Sequence, residues 1–105
     1  MSEITEKAKE LAARDSIRAD AEVHMGEARS ELHEAFWQFE KHPSSDNWNV
    51  LEEAMFAFQQ WKQTHGQMNI WYRAQSDPDR MSIPLSQFEK EYEKCQNLVN
   101  EGVDE

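Results

Sequence analysis

Glycine appears three times in 105 residues, proline three times and cysteine once. So little glycine leaves no phosphate-cradling loop and no nucleophile elbow, both of which need backbone that turns sharply or approaches a ligand closely. The lone cysteine, Cys95, excludes an intrachain disulfide and a cysteine zinc finger. It fits a reducing compartment, with the cytoplasm as the expected location. No apolar run approaches the roughly 20 residues of a membrane span, and the opening Met-Ser-Glu-Ile-Thr-Glu-Lys lacks the apolar stretch of a signal peptide. Strong core formers are few as well: Leu, Ile, Val and Phe together supply 18 residues, under the share of roughly 20% at which a highly charged chain is suspected of disorder. Four Trp and five Met raise the total to 27, so the core rests on rings and thioethers, which fill irregular gaps but specify packing less tightly than branched aliphatics. The length allows one domain, 1–105, with one modest core, and completion of burial in a homodimer or on a partner is expected.

Positive charge is the other shortage. Eleven Lys and Arg face 21 Asp and Glu, a net charge of −10 with a pI near 4.8. Such a field repels phosphate backbones, so direct nucleic-acid binding is not expected. The middle third, residues 42–75, has only three acids and two bases, and it holds Trp48, Phe56, Phe58, Trp61, Ile70, Trp71 and Tyr72. The least charged stretch is therefore the most aromatic.

What is present is helix-forming sequence. Residues 3–41 contain no proline and one glycine, and are rich in Ala, Glu, Lys, Arg and Leu, which predicts one long helix. Its first part carries a thin stripe of Ile4, Ala8, Leu11 and Ala12, with Glu3–Lys7 and Glu10–Arg14 spaced for ion pairs, and is expected to fray. From Ile17 the stripe strengthens through Ala21, Met25, Ala28, Leu32, Ala35, Phe36 and Phe39. His42-Pro43-Ser44-Ser45-Asp46-Asn47 reads as a stop followed by a choice of N-caps, hence a tight antiparallel elbow. A second helix over about 47–75 presents a broad face that includes Val50, Leu51, Ala54, Phe58, Trp61, His65, Met68 and Trp71, with a weak point at Gly66. Ser76-Asp77-Pro78-Asp79 interrupts it. A third helix over about 83–100 opens at Pro84 or at the Ser86-x-x-Glu89 capping box, carries Leu85, Phe88, Tyr92, Cys95 and Val99 as its seam, and ends near Gly102. The expected fold is all-α: a long antiparallel helical hairpin plus a shorter third helix, like a three-helix bundle.

No catalytic or metal-ligating constellation accompanies this fold. The residues three before His24, His33, His42 and His65 are Ala21, Ser30, Phe39 and Lys62, so the Glu-x-x-His of di-iron bundles is absent, as is His-Glu-x-x-His. Neither metal nor cofactor is expected, nor is enzymatic activity. Cys95 on the apolar seam reads as a small buried hydrophobe, and His65 as a residue packed at the core edge. Secreted helical hairpins with Trp-x-Gly in the turn offer one comparison, but the triplet here is Trp48-Asn49-Val50 and Gln96 follows Tyr92 at the position where that family has an acid. Membership is not inferred.

Two signals remain. Val23 and Trp37 stand fourteen residues apart on the first helix, and Phe56 and Ile70 fourteen apart on the second, each pair off the side used by the hairpin seam. Either the third helix covers Phe56 and Ile70, or Trp37, Trp48, Phe56, Ile70 and Trp71 form an aromatic surface that docks a larger protein or a second copy. The second signal is an acidic line, Asp20, Glu27, Glu31 and Glu34 on the first helix with Glu89 and Glu93 on the third. Spacings of three and four set carboxylates about 5–6 Å apart, close to the step between phosphates. The bland reading is a solvated face, since the first helix also carries six bases. The sharper one is steering toward a basic site or mimicry of a nucleic-acid strand. The expected function is a non-enzymatic binding module or inhibitor, with mimicry of nucleic acid against a DNA- or RNA-binding enzyme, and a structural subunit of an assembly, as alternatives.

Overall fold

A computed structural model of the chain describes residues 2–74 and 83–102, the side chains of 2–4 and 74 excepted. Three helices make up the described chain: α1, Ser2–Lys41; α2, Ser45–Ala74; and α3, Leu85–Glu101. This is the expected all-α arrangement. At about 1.5 Å per residue a forty-residue helix spans roughly 60 Å, which matches the long dimension of a body measuring 61 × 24 × 16 Å. Its radius of gyration, 17.3 Å, exceeds the ~13 Å of a compact chain of a hundred residues.

The elbow between α1 and α2 is tighter than the sequence indicated, because Ser44 rather than a later residue caps α2. Its Oγ accepts the Asn47 N–H at 3.1 Å, and its carbonyl accepts the Trp48 N–H at 2.9 Å. Asn47 then turns back: its Nδ2 donates to the carbonyl of His42 at 2.8 Å, satisfying the end of α1. One Ser-x-x-Asn unit thus closes one helix and opens the next.

Above the elbow the helices mesh on a heptad. Ala21, Ala28 and Ala35 of α1, Trp61 and Met68 of α2, and Phe88 and Cys95 of α3 are all buried, each set stepping by seven residues. Alanine on α1 faces rings and thioethers on the other two helices, small against large, which lets α1 lie close to both. The largest interface joins α1 to α2, and α3 lies over their seam, touching both. Phe88 is fully buried, with its ring edge-on to Trp71 at 5.4 Å between centroids. Trp61 lies face to face with His24 at 4.5 Å and edge-on to Tyr92 at 5.4 Å, so one ring from each helix meets there.

Several sequence expectations resolve differently. α2 runs through Gly66 without interruption. α3 begins with Pro84 at the N-cap and makes no side-chain capping bond, so the Ser86-x-x-Glu89 box is not used: Ser86 already lies inside the helix. Gly102 ends α3 as expected, at φ 76° with its N–H shared between the Leu98 and Val99 carbonyls. The Glu10–Arg14 ion pair takes another form. Arg14 is buried, donating through Nη1 to the Glu10 carbonyl at 2.8 Å and through Nε to the Ile83 carbonyl at 3.1 Å, which ties α1 to the entry of α3. The expected break at 76–79 and the tail at 103–105 lie outside the described residues.

Cys95 is as buried as the sequence suggested, at 1% exposure. Burial pushes its thiol pKa up, the Glu91 carboxylate adds to this, and a hydrogen bond with Thr64 opposes it. A buried, protonated thiol is a poor nucleophile. In native protein, labelling of Cys95 by an aromatic disulfide reagent at pH 8 is therefore expected to be at least tenfold slower than in urea; equal rates would show that α3 does not stay docked.

Candidate docking surface

At ~1.5 Å per residue α3 covers about 25 Å of a hairpin whose shorter arm is about 45 Å long. It sits at the open end, with its last turn bordering Ser30, Ala57 and their neighbours. Beyond that level only two helices remain to cover apolar side chains. Large apolar residues are exposed there: Phe36 at 52%, Trp37 at 50%, Trp48 at 43% and Val50 at 52%. Ring contacts hold part of this set in place. Trp48 meets Phe39 at 5.7 Å between centroids, and the Lys41 Nζ stands 4.2 Å above the Trp37 ring.

Of the sequence-derived aromatic set, the structure therefore brings Trp37 and Trp48 to one level near the elbow. It does not bring the others with them. Ile70 is the most exposed of the large apolar residues described, at 64%, but it lies 22 residues along α2 from Trp48, about 33 Å away. α3 does not cover it, because α3 rests on the side of α2 that presents Thr64 and Trp71. Phe56 is half-buried, and Trp71 is half-buried against the core through Phe88. Phe36 and Val50 were assigned by periodicity to buried faces, and their exposure is the main site feature that pattern alone missed. Val50 borders the groove that opens where α3 ends, whereas Phe36 continues the flank of α1 that carries the exposed Glu22 and Arg29.

The acidic line is drawn together more closely than the rings. Asp20, Glu89 and Glu93 border a crevice of about 520 Å³ between α1 and α3, with Val23 at its edge. Glu31 and Glu34 border a second, wider groove of about 770 Å³ between α1 and α2, continuing the line of α3 toward the elbow. Glu53 and Glu101 join them there, two carboxylates the sequence did not single out. Among the described residues no lysine or arginine lines either depression. Two of the six bases of α1 are used elsewhere: Arg14 is buried, and Arg18 pairs with Asp15 at 2.6 Å and reaches Asn69 of α2. Glu27 lies 3.7 Å from the Nδ1 of His24.

Asp20 also has a structural task. It accepts a 2.7 Å hydrogen bond from the Tyr92 hydroxyl, linking α1 to α3. Burial, then the hydrogen bond and charge of Asp20, push the Tyr92 phenol from its ordinary value of 10 up to about 12. The neutral phenol is thus favoured in the folded state. Its contribution to stability is complete below pH 10 and is lost as pH rises toward 12. In a Tyr72→Phe background, absorbance at 295 nm is expected to titrate near pH 12, and lower once Asp20→Asn is added; titration near 10 with Asp20 intact would mean that α3 is not held by this bond.

Among the described residues no group of three or more His, Cys, Asp and Glu side chains is placed to hold a metal ion. The Nε2 of His65 is buried without a hydrogen-bond partner among those residues. No described helix is long and apolar enough to cross a membrane. Comparison with protein-family models, curated proteins and solved structures finds nothing that matches the chain.

Proposed function

We propose that this chain is a non-enzymatic helical binding module or inhibitor that docks on a larger protein with the elbow end of its hairpin, its acidic flank steering it to a basic site. The observation that supports this most is the exposure of Phe36, Trp37 and Trp48 at the one end of the hairpin that α3 does not reach. Exposed tryptophans contribute little to a monomer's stability and much to an interface, where aromatic anchors carry a large share of the affinity. A net charge of −10 raises the encounter rate with a basic partner, while the rings slow its release. Affinity capture with the wild-type chain, compared with a Trp37→Ala/Trp48→Ala double variant of equal helicity, tests it. Retention of the captured protein by the wild type alone supports the reading, and undiminished capture by the variant removes it.

A second reading is favoured by a specific observation, the two carboxylate-lined depressions that hold no lysine or arginine among the described residues. In that case the chain imitates a nucleic-acid strand and blocks an enzyme that handles DNA or RNA. Salt separates the two. Mimicry requires binding that collapses between 50 and 300 mM salt and that duplex DNA competes away, whereas an interface of rings persists.

A further inference from the structure

The groove between α1 and α2 continues the seam on which α3 itself is seated. Ala35, Ala54 and Ala57 line it: Ala35 continues the heptad of Ala21 and Ala28 on α1, and Ala54 and Ala57 stand one heptad before Trp61 and Thr64 on α2, so that small side chains replace larger ones here. Small side chains on both arms admit another helix at close range. Val50, half exposed, supplies apolar surface within it. Around this alanine floor stand Glu31 and Glu34 on one side, Glu53 on the other and Glu101 at the end.

The end of the groove is unusual in its charge. The last turn of α3 brings the negative end of a helix dipole there, contains no basic residue and instead places Glu101 beside the final carbonyls. A carboxylate at that position is unfavourable for the helix alone. A cation delivered from outside relieves it. A second copy of this chain would bring another net charge of −10 and meets repulsion at the same rim.

We infer that this groove receives an amphipathic helix of the partner protein, with an apolar stripe lying on the alanine floor beside Val50 and Lys or Arg side chains flanking it to pair with the rim. The inference rests on the preceding reading only in supposing a protein partner, and it specifies the element that partner contributes. The basic character follows from the rim, and the helical form from the seam that already accommodates α3.

The probe is a synthetic eighteen-residue helical peptide with Leu at steps of three and four and Lys on both flanks. A matching peptide with Glu in place of Lys is the control. Titrated into the full-length chain labelled with nitrogen-15, the Lys peptide is expected to shift the amides of Ala54 and Ala57, and the Glu peptide is not. Glu34→Gln/Glu53→Gln should weaken binding about tenfold. Glu89→Gln/Glu93→Gln, an equal loss of charge at the other crevice, should change it less than twofold. Ala54→Trp, which fills the floor, should abolish it. Val50→Lys, a milder change at an exposed position, should weaken it at least tenfold if Ala54→Trp disturbs the fold.

Groove amides that do not move, or equal weakening by the two Gln pairs, would overturn the inference. So would wild-type self-association that Val50→Lys abolishes, since a second copy would then be the occupant. Trp37→Ala/Trp48→Ala should leave peptide binding unchanged while weakening capture of the native partner. Failure of the groove is in this way distinguishable from failure of the docking reading itself.

Discussion

Phe88→Ala is expected to lower stability by about 3–5 kcal/mol, the usual cost of emptying a fully buried phenylalanine site. Phe88 is completely buried, stands edge-on to Trp71, and belongs to the cluster that holds Ala21, Trp61 and Met68. Its loss removes the main apolar anchor of α3, whose other fully buried residue is the much smaller Cys95. Small domains are stable by roughly 5–15 kcal/mol, so this one change consumes a large part of the total. Urea denaturation followed by circular dichroism should show a lower midpoint. Faster Cys95 labelling in the same variant would locate the loss at α3. A change below about 1 kcal/mol would mean that Phe88 is not the residue that seats this helix.

Trp37→Ala/Trp48→Ala should do the reverse, leaving the denaturation midpoint nearly unchanged and weakening partner binding by 2 kcal/mol or more, about thirtyfold. Both rings are roughly half exposed, so deleting them opens no cavity of the kind left at Phe88. Their contacts with Lys41 and Phe39 are surface contacts. Trp61→Ala is the informative contrast. That ring is buried between His24 and Tyr92, and its removal should cost stability first and binding only as a consequence. Titration of the captured partner by calorimetry, beside denaturation of the same variants, separates the two classes of tryptophan.

The hairpin and the third helix were legible in the sequence because their signals are local and redundant. Pro43 and the serines after it mark the elbow, and the seven-residue spacing of Ala21, Ala28 and Ala35 marks the buried face. The placement of α3 was not legible. Phe88, Tyr92 and Cys95 show which face of α3 is apolar, but not which side of the hairpin receives it. That choice is made by contacts distant in sequence, the Tyr92 hydroxyl on Asp20 and the Arg14 Nε on the Ile83 carbonyl. The site inherited the same gap. Trp37 is identified by its position off the seam and Trp48 as a ring of the least charged stretch, whereas Phe36 and Val50 follow the buried pattern and are nonetheless exposed. Ile70 shows the converse. It is exposed as its position implied, yet it is too far along α2 to belong with the elbow rings.

The acidic residues repeat the lesson for charge. Spacing along α1 placed Asp20, Glu31 and Glu34 on one flank, but only the packing of α3 and α2 brings Glu89, Glu93, Glu53 and Glu101 beside them. A line on one helix becomes the wall of two depressions. Six bases on α1 looked able to neutralise it. Two of them, Arg14 and Arg18, are instead spent on tertiary contacts.

The four indole N–H resonances of the nitrogen-15-labelled chain report most directly on which end of the hairpin binds. Adding the captured partner should shift or broaden Trp37 and Trp48 at the elbow and leave Trp61 and Trp71 in place. Movement confined to Trp61 and Trp71, with the elbow pair unchanged, would mean that the bound surface is elsewhere.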